Sequence, residues 1–182
     1  MPKAPNHFFI LFFLLAGKIF SQPVYTENVP KRFTLDDTVA TAGTMCVLEH
    51  VHFMFYTTKL DSSFYGELDK LAAFLKRDTS IYIEIRSHIA PTSVQMCSAP
   101  TGSRSRNIAN YLVSKGIPDS HMRAIGYGDS RPYIVDKDDG IFKRGDVLNE
   151  KYVNKLVKKE DQQKAYRLNN RVEIWIMKAG KK

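Results

Sequence analysis

Apolar positions along this chain alternate between a period of two and a period near 3.6, and each change marks the border of an element. Met45–Phe55 carries Val47, Leu48, Val51, Phe53 and Phe55 and predicts a first strand. Asp61 or Ser62 then offers a cap to a helix whose Phe64, Leu68, Leu71, Ala72 and Leu75 share one face. Ile81–Ile85 predicts a short second strand. Beyond Pro91 and Pro100, Thr101–Lys115 predicts a second helix with Ile108, Tyr111 and Leu112 inward and Gly116 as its stop. Met122–Tyr127, ended by Gly128, is a third strand, and 129–149 reads as a loop with Asp138-Asp139-Gly140 as a turn signal. Glu150–Tyr166 predicts a third helix, charged outside, with Tyr152, Val153, Leu156 and Val157 inward. Val172, Ile174 and Ile176 alternate in a final strand. The order βαβαβαβ implies an α/β sandwich, a four-stranded mixed sheet with three main helices packed on it.

The first 21 residues read as a targeting segment. Lys3 gives a positive start, Phe8–Gly17 is an apolar run of ten, and Ser21 is a small residue at a cleavage point before Gln22. That run is too short to span a bilayer. Cleavage is the expected fate, with an uncleaved anchor as the alternative suggested by Lys18. No Cys follows the apolar run closely, which argues against a lipid anchor, and the rest of the chain holds no second apolar segment. Residues 22–42 are polar and read as a linker or edge segment, 43–178 as the folded domain and 179–182 as a basic tail.

With 182 residues, 43% of them apolar, the chain can bury a core. Its net charge of +8 is spread without a Lys/Arg block, and its aromatics sit at core spacings, so nucleic acid is not an expected partner. The most informative side chain is Arg104, in the first turn of the second helix. A helix's free N–H groups and dipole favour an anion at that end, and a guanidinium there makes a carboxylate receptor. From Ile85 to Pro118 there is no Asp or Glu at all. The competing reading of Arg104 is an ordinary surface residue, and Arg106 is expected to be solvent-exposed.

Other chemistry is thin. His88 could cap the site or simply shape its loop. His50 and His52 share a strand face but lack a third ligand nearby, so no metal site is expected. Cys97 with His88 has no orienting Asp or Asn, and Gly126-Tyr127-Gly128 is no phosphate loop, so neither catalysis nor a cofactor is expected. A βαβ unit places the first two strands parallel, which sets Cys46 and Cys97 at opposite edges of the sheet, about 25 Å apart. A disulfide needs Cα atoms within about 7 Å. Two free thiols are expected, with Cys46 buried.

The arrangement resembles the OmpA-like peptidoglycan-binding domain over about 130 residues, Gly43 to Met177. Val47–Phe53 resembles the family's opening strand and Leu60–Leu75 its first helix. Ile83–His88 resembles the strand that enters its Gly/Ser-His-Thr-Asp loop. Arg104, Ile108 and Tyr111-Leu112 through Gly116-Ile117 resemble the second helix. Gly126-Tyr127-Gly128 with Pro132 matches the following turn, and Asn169-Asn170-Arg171-Val172-Glu173 matches the closing Asn-Arg-Arg-Val-Glu strand. The long insert before Ala165–Asn169 resembles Bacteroidetes members in particular.

The resemblance implies a site that holds the centre of diaminopimelate, with an Arg for its carboxylate and an Asp for its ammonium. The Arg matches Arg104, but the Asp falls at Ala90, the family's loop Asn near Cys97, and its Leu-Ser helix start at Pro100-Thr101. Arg171 matches the closing motif and either reaches the same pocket or forms a structural salt bridge. The implied ligand-binding set is thus Arg104, His88, Ala90, Cys97, Thr101 and Arg171, with half of the zwitterion clamp missing. Losing the partner of a charge costs about 2–5 kcal/mol. The expected function is non-enzymatic: an exported protein of the periplasm, at the outer membrane or cell wall, that binds peptidoglycan weakly to tether or orient an envelope component. The alternative is a domain that kept the scaffold, lost the ligand and contacts a protein partner in an outer-membrane assembly.

Overall fold

Strand and helix alternate as the hydrophobic pattern predicts in the computed structural model, which describes residues 29–48, 60–91 and 101–180. In chain order the elements are β1 (Met45–Leu48), a 3-10 turn (Ser62–Phe64) running into α1 (Tyr65–Lys76), β2 (Tyr82–His88), α2 (Thr101–Ser114), a 3-10 turn (Asp119–His121) and β3 (Met122–Gly128). Then follow α3 (Glu150–Val153), α4 (Lys159–Asn169) and β4 (Val172–Lys178). The sheet order is β1-β4-β2-β3. β4 runs antiparallel to both β1 and β2, and β2 is parallel to β3. This is the mixed four-stranded sheet expected from the sequence, with β1 and β2 pointing the same way.

One face of the sheet is apolar and buried under α1 and α2. Cys46, Leu48, Ile83, Ile85, Met122, Val172, Ile174 and Ile176 pack there against Leu68, Leu71 and Leu75 of α1 and Ile108 and Leu112 of α2. The alternation of a strand puts the intervening residues on the far face, where Glu84, Arg86, His88 and Glu173 are buried as well. Cys46 is a free thiol within the apolar layer, and burial pushes it up to about 12, so it is an inert packing residue. Asp61 accepts a hydrogen bond from Ser63 N–H (2.9 Å) at the entry to α1. α2 ends as Gly116 predicts, at φ +87°. Gly116 N–H bonds to Val113 C=O at 2.8 Å and Ile117 N–H to Leu112 C=O at 3.0 Å, the paired bonds of a Schellman turn.

The sequence pattern misjudges two places. β2 extends three residues past Ile85, because Arg86, Ser87 and His88 are polar yet buried with partners, so the apolar signal stops before the strand does. The single helix expected over Glu150–Tyr166 is two helices, α3 and α4, separated at residues 154–158. Asn149 caps α3 by accepting from Tyr152 N–H (2.9 Å). After it, Lys155 and Leu156 N–H bond three residues back, tightening the turn, and Gln162 Nε2 donates to Leu156 C=O. Val153 and Leu156 turn inward as expected, while Val157 is 98% exposed because the break rotates it off the apolar face. The loop-like segment 129–149 carries no strand or helix, but it builds a second small core. Tyr133, Val135, Phe142 and Leu148 pack there with Val153 and Ala165, and one antiparallel bridge joins Ile134 to Val147.

α2 and β3 approach each other closely at Gly126. A Cβ on Gly126 would sit 2.1 Å from Gly102 N and 2.3 Å from Thr101 Oγ1, so helix and strand touch backbone to backbone there. A Cβ on Gly102 would meet nothing within 4 Å. Gly126→Ala should therefore cost about 2–3 kcal/mol, while Gly102→Ala should be neutral or stabilise by up to about 1 kcal/mol. Urea unfolding of the two variants checks this, and equal effects would show that the contact does not constrain the helix.

Candidate functional site

The ends of β2 and β3, the first turn of α2 and the Asn169–Arg171 segment converge on one corner of the domain. α2 is fixed there by two hydroxyls. Thr101 Oγ1 accepts from Gly128 N–H at 3.2 Å, and Ser105 Oγ contacts both Ser87 Oγ and Ile125 C=O at 2.8 Å. Both side chains are buried, and no Asp or Glu lies in the helix's first turn. The positive end of a 14-residue helix is thus held against the sheet without an acidic neighbour on its own first turn. Arg104 stands in that turn, half-buried. Arg106 points elsewhere: half-exposed, it forms an ion pair with Asp119 at 3.0 Å.

The segment leaving β2 is held from two sides. Ile89 N–H bonds to Gly128 C=O (3.0 Å) and Ala90 N–H to the side-chain oxygen of Asn170 (2.9 Å). Ala90 is buried, with 6% of its surface exposed, so a methyl group stands where the resemblance implies a carboxylate. Each residue of Asn169-Asn170-Arg171 latches a different segment. Asn169 is fully buried, accepts from Tyr133 N–H and donates to Leu148 and Ala165 C=O, tying the second core to the sheet. Asn170 holds the post-β2 segment. Arg171 donates to Glu173 Oε1 (2.6 Å) and to Arg131 C=O (3.2 Å) and lies over the Tyr133 ring.

The six residues singled out from the sequence therefore do not form one cluster. Thr101, Arg104 and Ala90 belong to the α2 corner. His88 and Arg171 belong to the far face of the sheet, where Arg171 makes the salt bridge that was one of its two expected roles. Cys97 lies outside the described residues, as do His50 and His52. Sequence reasoning missed the groups that surround His88 and Arg171. Glu173 takes Trp175 Nε1–H on Oε2 (2.7 Å). The Arg86 guanidinium bonds Glu84 (2.5 Å) and lies 4.1 Å from the centre of the Trp175 ring. Tyr127 donates to Glu84 (3.2 Å) and stacks on His88. The signal was available in the period-two alternation of Glu84, Arg86 and His88, which marks one strand face. Among the described residues no cluster of three His, Cys, Asp or Glu side chains could hold a metal ion, and no helix is long and apolar enough to cross a membrane.

The family model described as "OmpA family" matches residues 52–143, half of the chain. A curated relative, the peptidoglycan-associated lipoprotein of Rhizobium meliloti (strain 1021), is 28% identical over 93 residues, covering 50% of this chain and 53% of that protein. The chain thus spans about half the length of the curated relative it matches. Among solved structures, a MotB-like protein from Desulfovibrio vulgaris aligns with a TM-score of 0.49 at 18% identity, over 74% of this chain and 72% of that one. The peptidoglycan-associated lipoprotein from Burkholderia pseudomallei aligns with a TM-score of 0.46 at 17% identity, over 69% and 86% of the two chains.

The far-face network has a pH signature. Burial pushes His88 below its ordinary 6.5, against the upward pull of Glu173, so the ring is neutral at pH 7. Burial acts to raise Glu173, but the close approach of the His88 ring, the Arg171 charge and the Trp175 hydrogen bond outweigh it and hold the carboxyl below its ordinary 4.5. Both folded-state values lie below the unfolded ones, so the unfolded chain gains protons first on acidification. Stability should be level between about pH 7 and 8, fall as pH drops below 6.5, and fall again below pH 4.5. Urea unfolding across this range checks it. His88→Phe, which keeps a ring against Tyr127, should remove the upper part of the slope, and an unchanged slope would show that His88 is not its source.

Proposed function

This chain belongs to the OmpA family, and on that footing we propose that it is a non-enzymatic cell-envelope protein that binds peptidoglycan weakly, tethering or orienting an envelope component. The observation that carries this reading is the α2 corner. Thr101 and Ser105 press the helix's positive end onto β2 and β3, and Arg104 stands in that turn with no carboxylate between Ile85 and Pro118. A stem-peptide carboxylate received there gains a charge-assisted contact from Arg104 and the favourable end of a helix dipole. The apolar run Phe8–Gly17 supports export to the periplasm, where such a ligand resides. The peptidoglycan-associated relative of Rhizobium meliloti supports the same compartment.

Ala90 supports a second reading. Its buried methyl offers an ammonium nothing, and its N–H is already spent on Asn170. With only the carboxylate half of a zwitterion recognised, the domain would serve instead as a docking module for an envelope protein.

Sedimentation with purified sacculi separates the two. The parent protein should co-sediment weakly, Arg104→Ala should abolish that binding, and Arg106→Ala should change it little, because Arg106 is committed to Asp119. Ala90→Asp should raise affinity for diaminopimelate-containing fragments, by roughly 30-fold or more if the carboxylate meets the ammonium, while lowering thermal stability because the site is buried. Tight binding that survives Arg104→Ala would place the ligand elsewhere. Failure of both the parent and Ala90→Asp to bind would favour the docking module.

A further inference from the structure

We propose that the far face of the sheet holds a second binding site, a cavity beside His88 that takes one small carboxylate. The cavity is separate from the α2 corner and does not rest on the peptidoglycan reading. It measures about 160 Å³ and is lined by His88, Glu173 and Trp175 on the sheet, by Arg171 and Tyr133 beside them, and by Arg32 from the N-terminal segment. That is room for several waters, or for one molecule the size of an acylated glycine.

His88 is the first indication. The residue is 2% exposed, and neither ring nitrogen makes a hydrogen bond among the described residues; Nε2 lies 3.4 Å from Glu173 Oε2 without the alignment of a bond. Native structures seldom leave a buried ring nitrogen without a partner, and this ring borders the cavity.

The balance of donors and acceptors says what the ligand is. Each Glu173 oxygen accepts one bond, one from Arg171 and one from Trp175. The Tyr133 hydroxyl is used both ways, accepting from Arg32 at 2.7 Å and donating to Asp136 at 3.1 Å. A guanidinium has five N–H donors. Arg171 directs bonds to three acceptors, Glu173, Asn169 C=O and Arg131 C=O. Among the described residues, Arg32 directs bonds to Asp136 and Tyr133. The two guanidiniums thus keep unspent donors at the cavity, while the Glu173 carboxylate beside them is already engaged by Arg171 and Trp175, and a cationic ligand would meet both guanidiniums. An acceptor-only anion is the complement: a carboxylate between Arg32 and Arg171, accepting also from His88. Trp175 and Met45 supply an apolar wall for a short acyl body.

N-acetylglycine is a suitable probe, with N-acetylglycinamide as its neutral counterpart of the same size. Titrated into 15N-labelled protein, N-acetylglycine should shift the His88 ring and Arg32 side-chain resonances saturably, and the amide should bind at least about tenfold more weakly. Arg32→Gln should weaken N-acetylglycine binding about tenfold. Tyr133→Phe keeps the ring but releases Arg32, so it should weaken binding as well and decides the matter if Arg32→Gln does not fold. Arg104→Ala should leave the titration unchanged. No saturable shift, equal binding of acid and amide, or unchanged affinity in both Arg32→Gln and Tyr133→Phe would overturn the proposal. Loss of binding in Arg104→Ala would also overturn it, by assigning the probe to the α2 corner.

Discussion

The backbone contact between the first turn of α2 and β3 at Gly126 is the constraint on which the geometry of the α2 corner depends. Because no side chain separates them, Thr101 can accept from Gly128 N–H and Ser105 can reach both Ser87 and Ile125 C=O. Those bonds fix the angle at which the helix meets the sheet. They also bring its positive end to the place where β2 releases the Ile89–Ala90 segment, which Gly128 and Asn170 hold in turn. A wider contact would leave Arg104 on an ordinary surface helix. If the α2 corner is the receptor, the same closeness preforms it, which limits the ordering cost of binding.

On the other side of the sheet the physics is different. Glu84, Arg86, His88, Arg171 and Glu173 are all nearly buried, and their charges cancel in pairs with short bonds and aromatic cover from Tyr127, Trp175 and Tyr133. Such a network contributes less to net stability than an apolar layer of equal volume, because each charge is desolvated. What it supplies is registration. Arg171 reaches Arg131 C=O, and Asn169 reaches Tyr133 N–H, so the second core built by residues 133–165 is fastened to the start of β4.

The fold was legible where burial is one-sided. Val172, Ile174 and Ile176 alternate without interruption, and Leu68, Leu71 and Leu75 keep the helical spacing, so the sequence pattern and the structure agree there. It was illegible where polar residues are buried or apolar ones exposed. The last three residues of β2 lack an apolar signal because their partners are charges and hydroxyls brought from β3, α2 and β4. The break between α3 and α4 is hidden by Leu156 and Val157, which continue the helical period although only one of them turns inward. At the site, Arg104 and Ala90 could be placed from the helix and loop motifs alone. The separation of His88 and Arg171 from them could not, since it depends on which sheet face each residue takes.

The most direct measurement is a structure of the protein bound to a diaminopimelate-containing muropeptide, by crystallography or by intermolecular nuclear Overhauser effects. If the α2 corner is the receptor, a stem-peptide carboxylate lies against Arg104 and the first turn of α2, with the ammonium turned to solvent past Ala90. A ligand seated elsewhere on the domain, with Arg104 uninvolved, would contradict that assignment.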